Sequence, residues 1–291
     1  MRSVIIALSI FLSAFGMQAE NRALLVGIGR YPVRTGWPEV HGDADVDLLA
    51  PALKSRGYGD IKTLKNAQAS KAEIVKELKA LASRCKAGDR VYFHFSGHGQ
   101  PVRDVNGDEG SKGYDEAIVP YDACRSITSR VDGGYYNGEN HLIDDELNPL
   151  FAAIKNKLGA NGQFFIAIDA CYSDDMHRAS DSDDADLPMP TRGTSDRLDV
   201  KTTRAWTSIP KPKKYSRGAK MYVVSACRTD ECNFEYRAAD GKIYGALSYY
   251  IYSLLKSTTV FSTWADRIEA KSLRSPAIFT RYQHPQCKRI P

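Results

Sequence analysis

Four runs of the chain, Arg22 to Gly29 (RALLVGIG), Arg90 to Ser96 (RVYFHFS), Gln163 to Asp169 (QFFIAID) and Ala219 to Ser225 (AKMYVVS), are apolar with little polar alternation. A strand with one wet face alternates, whereas one that is apolar along its length must be covered on both faces. The segments between the runs supply the covering helices. Asp45 to Arg56 places Leu48, Leu49, Ala52 and Leu53 at helical spacing, with Gly57 as a stop. Ser70-Lys71-Ala72-Glu73 is a capping box that opens a helix with Ile74, Leu78 and Leu81 on one face. Further helical patterns lie at Asp145 to Lys157 and Tyr244 to Lys256, and strand runs at Ile61 to Leu64 and Glu116 to Tyr121. Such alternation predicts an α/β domain with a mostly parallel central sheet flanked by helices, its chemistry at the carboxyl ends of strands.

The first nineteen residues are of another kind: Arg2, an apolar run from Val4 to Phe15, then Gly16-Met17-Gln18-Ala19. That order predicts a secretory signal cut near Ala19. The run is shorter than the ~20 residues that cross a bilayer, so an exported protein, periplasmic or extracellular, with no membrane span is expected. Residues 20–291 then form one domain, large enough to fold without cysteine staples. Export permits disulfides among the cysteines, but spacing does not assign the pairs. The net charge of +5 is spread over most of the chain, which points away from nucleic acid. From Ser173 to Gly218 periodicity disappears. Asp174, Asp175, Asp181, Asp183, Asp184 and Asp186 are followed by Arg192, Arg197, Lys201, Arg204, Lys211, Lys213, Lys214 and Arg217, with four prolines between. This reads as a functional loop or as a solvated linker.

Two apolar strands end in reactive side chains, His98 within Ser96-Gly97-His98-Gly99 and Cys171 directly after Asp169-Ala170. Strand ends in one parallel sheet can bring an imidazole to a thiol, which activates the sulfur as a nucleophile. Tyr92 to Gly99 (YFHFSGHG), Gly107-Asp108-Glu109, Gly113 to Asp122 (GYDEAIVPYD) and Ile166 to Ser173 (IAIDACYS) together resemble the metacaspase and bacterial caspase-like cysteine peptidases. The resemblance runs in order from about Arg22 to Lys256. It implies a caspase-haemoglobinase-type three-layer sandwich and a cysteine endopeptidase that cuts after Arg or Lys. By similarity Cys171 is the nucleophile, His98 its acid/base partner, and the backbone N–H groups of Gly99 and Cys171 the oxyanion hole. The basic P1 side chain requires carboxylates. Asp169, with Ser96, matches the family's pocket, and Asp45 or its neighbour Asp43 is the second acid. The 173–218 loop is then a place for self-cleavage.

The chemistry requires no cofactor. Metacaspases often bind calcium through carboxylates that align with Asp115, Asp144 and Asp145, and Asp104, Asn106, Asp108 and Asp115 also follow calcium-loop spacing without its glycine. Arg178 stands near the family's fourth ligand position, and Asp174 where a small residue is common. Cys227 and Cys232 do not have zinc spacing. Expected partners are protein or peptide substrates with Arg or Lys at the cleaved position, with no nucleic acid, and the expected state is a monomer. Alternatives are a non-catalytic caspase-fold binding protein or a clostripain- or legumain-like relative with another P1 preference.

Overall fold

The computed structural model describes residues 19–110, 113–131, 133–172, 190–203, 215, 218–228, 231–271, 278–279 and 283–291. Residues 1–18, where the signal segment is expected, Asp174, Arg178 and much of the 173–218 loop lie outside the described residues. In chain order the elements are β1 (Asn21–Gly27), α1 (Gly42–Ser55), β2 (Tyr58–Lys65), α2 (Lys71–Arg84), β3 (Arg90–Ser96), β4 (Gly99–Arg103), β5 (Tyr114–Ile118), β6 (Arg130–Val131), β7 (Gly134–Tyr135), β8 (Leu142–Ile143), α3 (Asp144–Leu158), β9 (Gln163–Asp169), β10 (Lys220–Ser225), β11 (Glu235–Arg237), β12 (Ile243–Gly245), α4 (Ala246–Leu255), α5 (Phe261–Lys271) and β13 (Gln286–Ile290).

The central sheet has the order β13-β10-β9-β3-β1-β2. Its strands run parallel except β13, which pairs antiparallel with β10. Side-chain alternation explains the unbroken apolar runs. Leu24, Val26, Phe93, Phe95, Phe164 and Ile166 face a core closed by Ile74 and Leu78 of α2 and Phe151 and Ile154 of α3. Their neighbours Ala23, Leu25, Tyr92, Phe165 and Ala167 face the opposite core, closed by Leu49 of α1, Leu247 and Ile251 of α4 and Trp264 of α5. Helix, sheet and helix thus form the three expected layers. The capping box on α2 is half formed as read, with the Ser70 hydroxyl accepting from the Glu73 N–H.

Three expectations need correction. The run at 116–121 is β5, which belongs to a separate antiparallel sheet, β4-β5-β8, because Val102, Ala117 and Ile143 close a third small core with Leu198 and Val200. Tyr244 lies in β12, paired with β11, so the helix after it starts at Ala246. Finally, residues 190–203 are not a solvated linker. Leu198 takes a backbone hydrogen bond from Arg103 and gives one to Pro101, and both it and Val200 are buried. Helix α5 and the polar edge strand β13 had no expectation.

Candidate active site

β3 and β9 are adjacent and in register, Ser96 opposite Asp169, so the residues two steps beyond each strand emerge side by side. His98 is fully buried. Its ring stacks on Trp37 at 4.8 Å and 23°, and its Nε2 lies 2.9 Å from the Pro38 carbonyl. A carbonyl only accepts, so Nε2 carries the hydrogen and Nδ1 is left as the basic nitrogen. Nδ1 is buried with no hydrogen-bond partner. Burial lowers the pKa of His98 to about 4, against the help of the Pro38 carbonyl, which keeps the ring neutral. The Cys171 thiol, also buried, donates to the Glu231 carbonyl at 2.8 Å, and the Cys227 sulfur lies 3.4 Å from it. All six cysteines are thiols.

The segment at 190–193 crosses this point as a peptide would. The Arg192 carbonyl accepts from the Cys171 N–H at 2.8 Å and the Gly99 N–H at 3.3 Å. Upstream, the Arg192 N–H donates to Asn233 and the Glu235 N–H to Pro190, with an antiparallel bridge between Thr191 and Phe234. Downstream, Gly193 is bridged to both Gly99 and Cys171. A Cβ at Gly193 would sit 2.1 Å from the Cys171 carbonyl oxygen, so glycine alone fits that approach.

The Arg192 side chain enters a closed acidic pocket and is fully buried. Its Nη1 donates to Asp45 at 2.7 Å and to the Ser96 hydroxyl, and lies 3.8 Å from Asp169. Its Nε and Nη2 both donate to Glu235 Oε1, at 3.0 and 2.7 Å. Asp45, in the first turn of α1, also accepts from Ser96 and the Gly245 N–H. Of the two candidate acids, Asp45 lines this pocket, whereas Asp43 accepts from the Asn66 amide outside it. Asp169 serves two elements. It accepts from Asn233 and from the N–H and hydroxyl of Ser248 at the start of α4, while Ser248 meets His94. Asp169 thus caps the start of α4 and also stands beside the cation. Burial raises the pKa of Asp45 to about 6, Arg192 pulling it down and Asp169 pushing it up. A Cβ on Gly245 would lie 2.1 Å from Asp169 Oδ2 and 2.5 Å from Arg192 Nη1, so the wall of the pocket is bare backbone. Sequence reasoning missed Glu235, which His41 holds through its backbone N–H and imidazole at 2.7 and 2.6 Å. Nothing in the local pattern marks it. For Arg192 the signal was its setting, Pro-Thr-Arg-Gly in a basic loop.

A second acidic cluster stands apart. Carboxylate oxygens of Asp104, Asp108 and Asp115 lie within 4.8 Å of one another. Asp144 and Asp145, opening α3, raise the pKa of Asp115 by repulsion, and Asn106 donates to Asp145. The Oδ1 atoms of Asp108, Asp115, Asp144 and Asp145 are buried without a partner. Burial first and mutual repulsion second raise Asp115 to about 8, Asp144 to about 7 and Asp145 to about 6. Buried carboxylates without donors are costly, and an all-oxygen set of this kind fits a hard divalent cation such as calcium.

A helix-sheet-helix sandwich that sets a cysteine and a histidine at neighbouring strand ends beside an acidic pocket defines the caspase-fold class. The comparisons with known proteins carry this further. The sequence model of the Caspase domain (Peptidase_C14) matches residues 20–281, so the chain belongs to that family. Metacaspase-3 of Arabidopsis thaliana is 30% identical over 192 residues, covering 65% of this chain and 44% of its own length. Metacaspase-1 of the same plant is 37% identical over 93 residues, covering 32% and 21%. The matched region thus spans less than half of either of these relatives. The crystal structure of protein GSU0716 from Geobacter sulfurreducens shares the fold, with a TM-score of 0.63, 19% identity and 93% of each chain covered.

Proposed function

We propose that this chain is an exported, monomeric cysteine endopeptidase that cleaves peptide bonds after Arg or Lys through Cys171 and His98, and that it processes itself between Arg192 and Gly193. The observation that carries the reading is Arg192 itself, its guanidinium among Asp45, Asp169 and Glu235 and its carbonyl on two backbone N–H groups. A non-catalytic binding protein would need no such pairing of a carbonyl with the donors beside a thiol.

In this mechanism His98 Nδ1 takes the Cys171 proton and the sulfur attacks the carbonyl carbon of the basic residue. The Gly99 and Cys171 N–H groups hold the oxyanion as it forms. His98 then returns the proton to the departing amine, leaving a thioester that water hydrolyses with the same imidazole as base. Burial keeps the imidazole neutral before the first transfer, as a base must be. With Arg192 docked, the thiol rests on the Glu231 carbonyl, and a change of its rotamer starts the reaction. Asp104, Asp108, Asp115, Asp144 and Asp145 would hold calcium, whose part is to neutralise these acids and brace the 104–115 loop against α3.

The test is hydrolysis of Arg, Lys, Asn and Asp reporter peptides by wild type, Cys171→Ala and His98→Ala, with and without calcium. Cleavage of the basic reporters alone, lost in both variants, is expected. Preference for Asn or Asp would overturn the acidic-pocket reading, and no hydrolysis at all would overturn the enzyme.

A further inference from the structure

Cys227 has no part in the mechanism above, yet it is the thiol beside the nucleophile. It follows β10 just where the ladder with β9 continues beyond the strands, the Ala226 N–H donating to Ile168 at 3.1 Å. Both sulfurs are buried. They lie 3.4 Å apart and share the Glu231 carbonyl, at 2.8 Å from Cys171 and 3.4 Å from Cys227. A disulfide needs about 2.05 Å between sulfurs on side chains that already face each other, so small rotations close the gap. Two thiols meeting at one acceptor across adjacent strands have the placement of an attacking and a resolving cysteine.

We infer that Cys171 and Cys227 form a site of reversible oxidation, in which hydrogen peroxide converts Cys171 to a sulfenic acid and Cys227 condenses with it to a disulfide that occupies the nucleophile. The inference rests on Cys171 being the reactive sulfur of the proposed peptidase. In the first step the Cys171 sulfur gives two electrons to peroxide, forming the S–OH bond and releasing one water. In the second, the Cys227 sulfur displaces that hydroxyl, its own proton leaving with it as the second water. A dithiol reductant reverses the bridge by exchange, becoming a disulfide itself. The hydrogen bond to Cys171, reinforced by burial, raises the pKa of Cys227, so Cys227 stays a thiol until peroxide acts on Cys171. Without a neighbour to trap it, the sulfenic acid of an exported enzyme would proceed to the irreversible sulfinic acid.

The experiment uses the purified full chain, Cys227→Ser and Cys232→Ser, each exposed to graded hydrogen peroxide and then to dithiothreitol. Non-reducing peptide mapping should find a Cys171–Cys227 cross-link in wild type and Cys232→Ser. Arg-reporter activity, normalised to each untreated protein, should recover about tenfold more in these two than in Cys227→Ser, whose Cys171 should carry sulfinic acid. Circular dichroism checks that each variant folds, and the wild-type map needs no variant. Mapping of Cys171 to Cys232, a Cys171 sulfinate in wild type, or equal recovery in Cys227→Ser would overturn the inference. Should wild type hydrolyse no reporter, the peptidase reading falls, while the peptide map alone still decides the bridge.

Discussion

Arg192 is a buried cation facing three carboxylates, and the way it is held separates arginine from lysine. Asp45 and Ser96 grip only Nη1, whereas Glu235 takes both Nε and Nη2 through one oxygen. Lysine has a methylene where arginine has Nε, so it loses one charge-assisted bond to Glu235 and falls short of Asp45. Arg reporters should be cleaved with kcat/KM about tenfold or more above Lys reporters, a charged hydrogen bond being worth about 1.5–3 kcal/mol. Glu235→Gln should erase most of that ratio, and Asp45→Asn should lower both substrates by about a hundredfold by leaving a buried cation half paired. Equal losses for Arg and Lys in Glu235→Gln would remove Glu235 from the selectivity argument. The same pocket sets a pH dependence. Asp45 stands at about 6 with the guanidinium of Arg192 present, facing also Asp169 and Ser96, while Glu235 meets the other edge of the cation and His41. Burial, the largest influence, holds this carboxyl above the usual range against the lowering effect of that cation. Since only the carboxylate binds a basic residue, kcat/KM should rise with pH between about 5 and 7 and flatten above, and Asp45→Asn should lose this limb. His98, held near 4 by burial, titrates below it.

At the scale of elements, the acidic cluster lies where the 104–108 loop, β5 and the first turn of α3 meet, at the ends of the β4–β5 and β5–β8 ladders. Calcium at about a hundredfold over its Kd would add about 2.7 kcal/mol, or about 5–10 °C in Tm. Thermal denaturation in calcium against chelator should show that rise, and Asp115→Asn with Asp144→Asn should abolish it; an unchanged rise in the double variant would place the ion elsewhere. Legibility in the sequence also varied by element. β3 and β9 were bounded to the residue because both cores make every position apolar, and so His98 and Cys171 could be found at their ends. Asp45 remained tied with Asp43 because α1 begins at Gly42, ahead of its apolar pattern, and both acids fall in its first turn. Glu235 sits on a strand of three residues, and β13 is a polar edge strand, neither with a period to read. The 190–203 segment folds through distant partners such as Pro101 and Asn233, which no local window contains.

For the molecule as a whole, the proposed cut falls between β9 and β10, which are neighbours in the same sheet. The amino-terminal part would contribute β1, β2, β3 and β9, and the carboxyl-terminal part β10 and β13. Residues 163–168 pair with 220–225 along the whole seam. One core is also shared across it: Tyr92 and Phe165 pack on Trp264, with Leu247 and Ile251 in the same cluster. Each such side chain is worth about 1.5–3 kcal/mol when buried, and the Arg192–Gly193 peptide bond has no part in these contacts. Cleavage should therefore open the pocket without dividing the protein. Wild type should migrate as two fragments in denaturing electrophoresis, yet elute from gel filtration as one species, at the position of the intact Cys171→Ala monomer. Mass spectrometry of the smaller fragment should give Gly193 as its first residue, and Arg192→Ala should remain one chain while still hydrolysing Arg reporters. Fragments that separate without denaturant would show that the loop, and not the sheet, holds the halves together; a fragment starting elsewhere would mean that Arg192 blocks the pocket without being cut.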